Sequence, residues 1–128
     1  TELDHYQGRR KALKQAMKCI AVYERSLFAY LLAEVQKISN ITVYGINNLG
    51  QLNERCPTLA FTIKGFTPQE IAAYLGEQGI FVWDGNYYAL SITERLGLED
   101  TGGMVRVGLA HYNTKEEIDR LITALREM

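Results

Sequence analysis

An uninterrupted helical pattern over residues 9–38 constrains this 128-residue chain more than any other feature. The pattern has no internal glycine or proline, and its apolar residues recur at three- and four-residue steps, the spacing of one face of an amphipathic helix. At 1.5 Å per residue such a helix is about 40 Å long, more than a domain of this size covers. We therefore expect part of it to pack against a second body, either the rest of a larger protein or another copy in a coiled dimer. The apolar positions are Leu13, Ala16, Met17, Ile20, Tyr23, Leu27, Leu31 and Val35.

The rest of the sequence predicts four short strands and three further helices. Thr67 with Glu70, and Thr114 with Glu117, have the spacing of a capping box, which marks the first turn of a helix. Gly79 is expected to end the helix that follows Thr67, in a left-handed conformation. The predicted strands are 41–45, 58–65, 80–83 and 104–110, and the predicted helices follow Thr67, span 86–97 and follow Thr114.

The order of these elements, α-β-β-α-β-α-β-α, predicts the fold class. It favours an α+β fold, with a mostly antiparallel sheet of about four strands, helices on one face and the long helix in front. We expect a single domain over residues 1–128, made of a long connecting helix (1–38) and an α/β body (39–128). Residues 47–57 are expected to be loop, and the turn pair Asp84–Gly85 is expected to close the third strand.

Composition excludes several classes of function. The net charge of -1 provides no electrostatic basis for binding nucleic acid or an anionic membrane. The basic segment 8–18 is interpreted as a solvated helix face. No apolar run is long enough to span a membrane and no signal peptide is visible, so we expect a cytoplasmic protein. Cys19 and Cys56 lack CxxC spacing, so we expect them to be small buried residues rather than a disulfide or a zinc site.

Arg106 is the residue that most directly suggests a binding function. Val105 and Val107 alternate with it in the last strand and are expected to face the helices, so Arg106 faces the other way. A guanidinium grips a planar carboxylate with two parallel hydrogen bonds. The alternative is a structural ion pair between Arg106 and an acidic residue across the sheet. The other residues expected on the Arg106 face are Met104, Gly108 and Ala110.

No reaction centre is visible among the remaining polar residues. His5 lies near the start of the chain, and His111 precedes a helix cap without a second histidine or ligand at metal-binding spacing. The pair Tyr87–Tyr88 is interpreted as packing or as a pocket wall. The pair Gly102–Gly103 lacks the strand-to-helix context of a phosphate-binding loop.

Two segments nevertheless resemble a known family. "RCPTLAFTIKGFTPQEIAAYLGEQGIFVWDGNYYAL" (55–90) and "VRVGLAHYNTKEEIDRLITAL" (105–125) resemble the C-terminal small domain of class V aminotransferases. These are fold-type I pyridoxal phosphate enzymes, and they include the cysteine desulfurases. The ending "VR…YNTxEEID" is the most specific part, and "GIFVWDGNYYAL" (79–90) marks a cysteine desulfurase-like subgroup. The resemblance covers essentially the whole chain.

The resemblance implies a function. In this family the arginine that matches Arg106 binds the α-carboxylate of the amino acid substrate, and Asn86 and Tyr88 would line the same pocket. The cofactor would be pyridoxal 5′-phosphate, bound mainly by a large domain of the same chain that supplies the Schiff-base lysine. The full-length protein would be a homodimer, and this piece alone would catalyse nothing.

The sequence departs from the family at one important position. Cysteine desulfurases of this group carry a catalytic cysteine on the loop after the glycine turn, where Tyr88 stands here. The tyrosine argues against persulfide formation by the usual route. The reaction type stays open between desulfurase, aminotransferase, lyase and epimerase chemistry. None of the six lysines has the family's anchoring context: Lys11, Lys14, Lys18, Lys37, Lys64 and Lys115.

Two other classes of protein remain compatible with the sequence. One is a free-standing α/β module that binds an amino acid through Arg106 for regulation, without catalysis, and dimerises through the long helix. The other is an interaction domain in which Arg106 forms a structural ion pair.

Overall fold

The computed structural model of the chain describes Leu3 and residues 5–128. Eight helices and strands follow the predicted order, and two short 3-10 helices lie between them. These elements are α1 (Gly8–Val35), β1 (Ile41–Tyr44), β2 (Thr58–Ile63), α2 (Pro68–Glu77), β3 (Trp83–Gly85), α3 (Leu90–Arg95), β4 (Met104–Gly108) and α4 (Lys115–Arg126), with 3-10 turns at Leu49–Glu54 and Glu99–Thr101.

The four strands form one antiparallel sheet in the order β1-β2-β4-β3. β2 and β4 are therefore the central strands, although 40 residues of chain separate them. Alternation along β2 buries Leu59, Phe61 and Ile63 completely or nearly so and leaves the residues between them half-exposed. Val105 and Val107 of β4 are buried on the same face as this stripe. The α+β class and the antiparallel sheet of four strands are confirmed.

The helices cover the buried face of the sheet and close a single core. α4 contributes the predicted stripe, and α2 contributes Ile71 and Leu75. The second half of α1 contributes as many buried residues as α4, five of them between positions 27 and 35. On the opposite face of the sheet Met104 is also buried, but it lies outside this core cluster. The α4 stripe is Ile118, Leu121, Ile122 and Leu125.

The first half of α1 extends beyond this core. Leu13 and Met17 are 55% and 62% exposed, although both belong to the apolar stripe that the sequence predicts. The described part of the chain therefore leaves this half of the stripe uncovered, and the expected second body stays a prediction. No described helix combines the length and the apolar composition needed to cross a lipid bilayer.

Four local expectations were wrong. The third strand begins at Trp83 rather than residue 80, and the pair Asp84–Gly85 lies within it, pairing with Val105 and Met104 instead of forming a turn. The reason is that the chain leaves α2 through a hydrogen bond from Ile80 N–H to the Leu75 carbonyl, which delays its pairing with β4. Part of the expected loop 47–57 forms the 3-10 turn Leu49–Glu54 around a buried Leu52. The expected helix over 86–97 is shorter, because residues 86–89 form a loop.

The expected burial of the two cysteines was also wrong. Cys19 and Cys56 are free thiols, and both are exposed. Cys19 lies on the part of α1 that extends beyond the core, and Cys56 lies in the segment that leads into β2. A cysteine's apolar character is too weak to determine its burial where no neighbouring element covers it.

Both predicted capping boxes are present, and the one at α4 gives a testable stability difference. Thr114 Oγ1 accepts a hydrogen bond from Glu117 N–H at 3.3 Å, and Thr114 N–H donates to Glu117 Oε2 at 3.0 Å. Thr114→Ala should lower the free energy of unfolding by about 1 kcal/mol, measured by urea denaturation. Thr123→Ala is the matched control, because its exposed hydroxyl only bonds back to Asp119 O within the helix, and it should stay within about 0.5 kcal/mol of wild type. Equal losses in the two variants would contradict the capping role.

Candidate functional site

Arg106 lies in the middle of the sheet, on the face that the helices do not cover. In β4 it is directly opposite Ala60 of β2 on one side and Trp83 of β3 on the other. Directly opposite residues of antiparallel strands project to the same face. Because Val105 and Val107 face the core, these three side chains form a row on the open face, and Arg106 is exposed there.

The neighbours of Arg106 leave space above the sheet. Ala60 has only a methyl group, and Gly108, two residues along β4, has no side chain and is exposed. Met104 departs from the expected pattern because it is buried, next to Tyr87, whose hydroxyl donates a hydrogen bond to the Met104 carbonyl. The open region of this face therefore extends from Arg106 toward Gly108.

Arg106 has no protein carboxylate as a partner in the part of the chain that the structure describes. It forms neither a salt bridge nor a hydrogen bond among these residues. Its guanidinium carbon instead lies 4.9 Å from the centre of the Tyr87 ring and 6.0 Å from that of Trp83. The structural ion pair considered from the sequence is thus absent among residues 3 and 5–128. The five N–H donors of the guanidinium are available to an added anion.

The loop that follows β3 brings two tyrosines to this site in an unusual backbone conformation. Tyr87 and Tyr88 have φ angles of 55° and 61°, in the left-handed region that non-glycine residues rarely adopt. Each such residue costs about 1–2 kcal/mol, so surrounding contacts must hold the loop. Strain of this kind concentrates at functional sites.

Asn86 supplies much of that support. Its Oδ1 accepts a hydrogen bond from Tyr88 N–H at 3.1 Å, and its Nδ2 donates to Glu99 Oε1 at 3.1 Å. The other oxygen of Glu99 bonds to the hydroxyl of Thr93, which is completely buried. The Asn86 amide therefore ties the loop to the turn that precedes β4. Its predicted role as a substrate ligand stays a prediction.

Tyr88 differs sharply from Tyr87. The side chain of Tyr88 is 99% exposed, so it contributes no packing to the domain. Tyr87 is half-buried between the loop and β4, and burial raises the pKa of its phenol, opposed by the nearby Arg106 charge. The Tyr87 phenol is therefore neutral at physiological pH. The structure places Arg106 next to Tyr87, and the same loop presents Tyr88 to solvent.

The other candidate residues lie apart from this site. His111 is exposed in the turn after β4, with its Nδ1 3.9 Å from Glu24 Oε1 of α1, and His5 is exposed near the chain start. Among the described residues, no three His, Cys, Asp or Glu side chains come together as metal ligands. No metal-dependent role is therefore assigned to either histidine.

Two features of the site could not be recognised from the sequence. The ring contact between Tyr87 and Arg106 depends on the left-handed loop, which brings the tyrosine back over β4. The support from Glu99 depends on the turn that follows α3. The only sequence signal for either feature was "DGNYY", in which Asn after Gly favours a tight turn.

Comparison with known proteins identifies the family of the chain. The family model for aminotransferase class-V matches residues 10–121. The chain is 35% identical to a cysteine desulfurase of Synechococcus elongatus over 90% of this chain and 17% of that protein. It is 34% identical to a cysteine desulfurase of Cronobacter sakazakii over 80% of this chain and 23% of that protein. The chain therefore spans about a fifth of these relatives.

A solved structure shares the fold. The apo structure of a cysteine desulfurase from Thermococcus onnurineus NA1 matches with a TM-score of 0.80 and 24% sequence identity. The match covers 92% of this chain and 28% of that chain. The arrangement of α1, the sheet and the covering helices is thus one found within a larger protein.

Proposed function

The chain belongs to the aminotransferase class-V family, and we propose that it forms the C-terminal small domain of a pyridoxal 5′-phosphate enzyme acting on an amino acid. The observation that carries this proposal is Arg106, an exposed guanidinium on the open sheet face without an ion pair among the described residues. We expect a large domain of the same chain to lie over this face and over the exposed half of α1. The full-length enzyme would be a cytoplasmic homodimer.

The lysines of this chain do not fit the role of cofactor anchor. Lys37 pairs with Glu34, and Lys115 pairs with Asp119 at 3.1 Å and lies 4.2 Å from the Tyr30 ring centre, on the helix side of the sheet. Lys14, Lys18 and Lys64 are exposed, and Lys11 is half-exposed on α1. A Schiff-base lysine is activated in a desolvated pocket, which none of these occupies. We expect the large domain to supply the cofactor anchor and this chain to supply the site for the substrate carboxylate.

Arg106 would position the substrate. When bound, pyridoxal phosphate supplies an electron sink for charge that develops at the substrate Cα. The guanidinium would receive the α-carboxylate with two parallel hydrogen bonds, which fixes the direction of the other bonds at Cα. Holding one reacting bond in the productive orientation is a recognised source of rate.

Tyr88 bears on the type of reaction. It occupies the loop position where the resemblance expects the catalytic cysteine of a desulfurase, and the two described thiols lie on α1 and before β2. We propose that the enzyme carries out aminotransferase, lyase or epimerase chemistry rather than persulfide formation. The exposed phenol and the Asn86 amide would form the wall of the pocket opposite the large domain.

Replacing Tyr88 by glycine should separate function from stability. Glycine relieves the left-handed strain, and the exposed Tyr88 ring has no packing to lose. The free energy of unfolding of Tyr88→Gly should therefore equal that of wild type or exceed it by up to about 1 kcal/mol. In the full-length enzyme the same variant should lower kcat/KM by about tenfold or more, because a wall of the pocket is missing. Tyr88→Ala is the control: it keeps the strain and should show the same kinetic loss at wild-type stability. Unchanged kcat/KM in both variants would contradict the role of Tyr88.

Purification from the native cell tests the proposal as a whole. A chain much larger than 14.5 kDa, yellow from lysine-bound pyridoxal, is the expected result of an intact mass and a visible spectrum. A colourless protein of 14.5 kDa would overturn it. The free-standing amino-acid-binding module would then be tested by calorimetry with amino acids.

A further inference from the structure

Arg106 presents a problem of orientation that its strand position does not solve. An arginine side chain has several rotatable bonds and carries about 2 kcal/mol of rotamer entropy. On an exposed sheet face it would normally be ordered by a carboxylate, but no described residue provides one. Such a carboxylate would also occupy the donors that a substrate needs.

Two aromatic rings contact the guanidinium instead. The Tyr87 ring centre is 4.9 Å from the guanidinium carbon, and the Trp83 ring centre is 6.0 Å away. The face of an aromatic ring attracts a cation through its quadrupole but takes up none of its N–H donors in the guanidinium plane. The charge is therefore held in place without being neutralised.

Tyr87 is itself fixed at both ends. Its hydroxyl donates to the Met104 carbonyl, two residues before Arg106 on the same strand. Its backbone is set in the left-handed region by a loop that Asn86 ties to Glu99. Because burial keeps the phenol neutral, its contact with Arg106 is a ring–cation contact rather than an ion pair.

We propose that Tyr87, assisted by Trp83, is a positioning residue that orients the Arg106 guanidinium for a planar carboxylate while leaving its N–H donors free. This inference rests on the proposed function for the identity of the ligand, but its structural part does not depend on it. Pre-organisation of this kind improves affinity because less side-chain entropy is lost on binding. The left-handed backbone at Tyr87 accompanies this placement of the ring beside β4.

The structural part is tested by ¹⁵N relaxation of the Arg106 Nε–H group in the chain. We expect an ordered side chain in wild type and only a small loss of order in Tyr87→Phe, which keeps the ring but loses the hydroxyl bond to Met104. In Tyr87→Leu the order parameter should fall below about 0.6. Trp83→Leu, at a position that is 57% exposed and therefore safe for folding, should give a smaller decrease.

Three results of that experiment would overturn the proposal. The first is an Arg106 Nε–H order parameter that is equal in wild type and Tyr87→Leu. The second is an equal loss of that order parameter in Tyr87→Phe and Tyr87→Leu. The third, if Tyr87→Leu fails to fold, is an unchanged order parameter in Trp83→Leu. The second result would mean that the hydroxyl and the loop matter rather than the ring.

Kinetics of the full-length enzyme then test the connection to substrate. Tyr87→Leu should raise KM for the amino acid by about 2- to 30-fold with kcat nearly unchanged, and the KM of Tyr87→Phe should lie close to wild type. If Arg106→Ala raises KM and Tyr87→Leu does not, the positioning role of Tyr87 is refuted and the proposed function stands. If Arg106→Ala leaves KM unchanged, the proposed function itself has failed.

Discussion

Replacing Arg106 by alanine in the full-length enzyme should raise KM for the amino acid substrate by about 30- to 1000-fold, while pyridoxal phosphate stays bound. The physical reason is the loss of a charge-assisted pair of hydrogen bonds inside a site closed by the large domain, worth about 2–4 kcal/mol. The stability of this domain should hardly change, because the described structure shows no ion pair or hydrogen bond of Arg106 to lose. Steady-state kinetics and the visible spectrum of the variant provide the measurement.

Two further variants separate the effect of the two parallel hydrogen bonds of the guanidinium from the effect of its charge. Arg106→Lys keeps the charge but cannot donate two parallel hydrogen bonds, so its KM should lie between wild type and Arg106→Ala. Arg95→Ala removes the same charge from an exposed position in the last turn of α3 and should leave KM within about twofold of wild type. Equal KM values for wild type and Arg106→Ala would refute the carboxylate-binding role.

Gly103→Ala should be among the most destabilising single substitutions in this chain, with a loss of about 3 kcal/mol or more. A Cβ at position 103 would lie 2.3 Å from the Gly85 carbonyl oxygen and 2.4 Å from its carbon, both backbone atoms that cannot rotate away. The φ angle of 84° adds the strain that any L side chain meets there. The collision lies where β3 meets β4, one residue before the Gly85–Met104 pair, so it would force apart the strands that carry Trp83 and Arg106.

The adjacent glycine offers a matched control for this clash. Gly102 has a φ angle of 91°, but a Cβ there would meet only Pro68 Cδ at 3.6 Å, an ordinary contact. Gly102→Ala should therefore cost only the backbone strain, about 1–2 kcal/mol. Urea denaturation of both variants gives the comparison. If the two losses are equal, the close approach of β3 and β4 at Gly103 is not as described.

Elements governed by local chemistry were readily predicted from the sequence. The capping boxes at Thr67 and Thr114 depend on residues three positions apart, and both are present. The period-two pattern of β2 and the helical stripe of α4 each report which face is buried, and the structure buries those faces. A four-stranded sheet with helices packed on one face can be arranged in few ways. These patterns were therefore also enough to predict the α+β class.

Features that depend on contacts between distant segments were not predicted. The strand boundary at Trp83 depends on where the chain leaves α2, and the apolar run over 80–83 contains no signal for it. The exposure of Cys19 reflects the absence of a covering element over the first half of α1. The surroundings of Arg106 depend on the left-handed backbone at Tyr87. From the sequence alone, Tyr87 was interpreted as a packing residue or part of a pocket wall. The position of Arg106 on the sheet was predictable because strand alternation alone decides which face it occupies.

The most direct measurement is a crystal structure of the full-length enzyme with pyridoxal phosphate and a bound amino acid. We predict that two Arg106 nitrogens will each lie about 2.7–2.9 Å from one oxygen of the substrate carboxylate. Tyr87 should remain against the guanidinium and Tyr88 should face the substrate. The opposite result would be a carboxylate of the large domain paired with Arg106 and the substrate carboxylate held by another residue, which would make Arg106 a domain-docking residue.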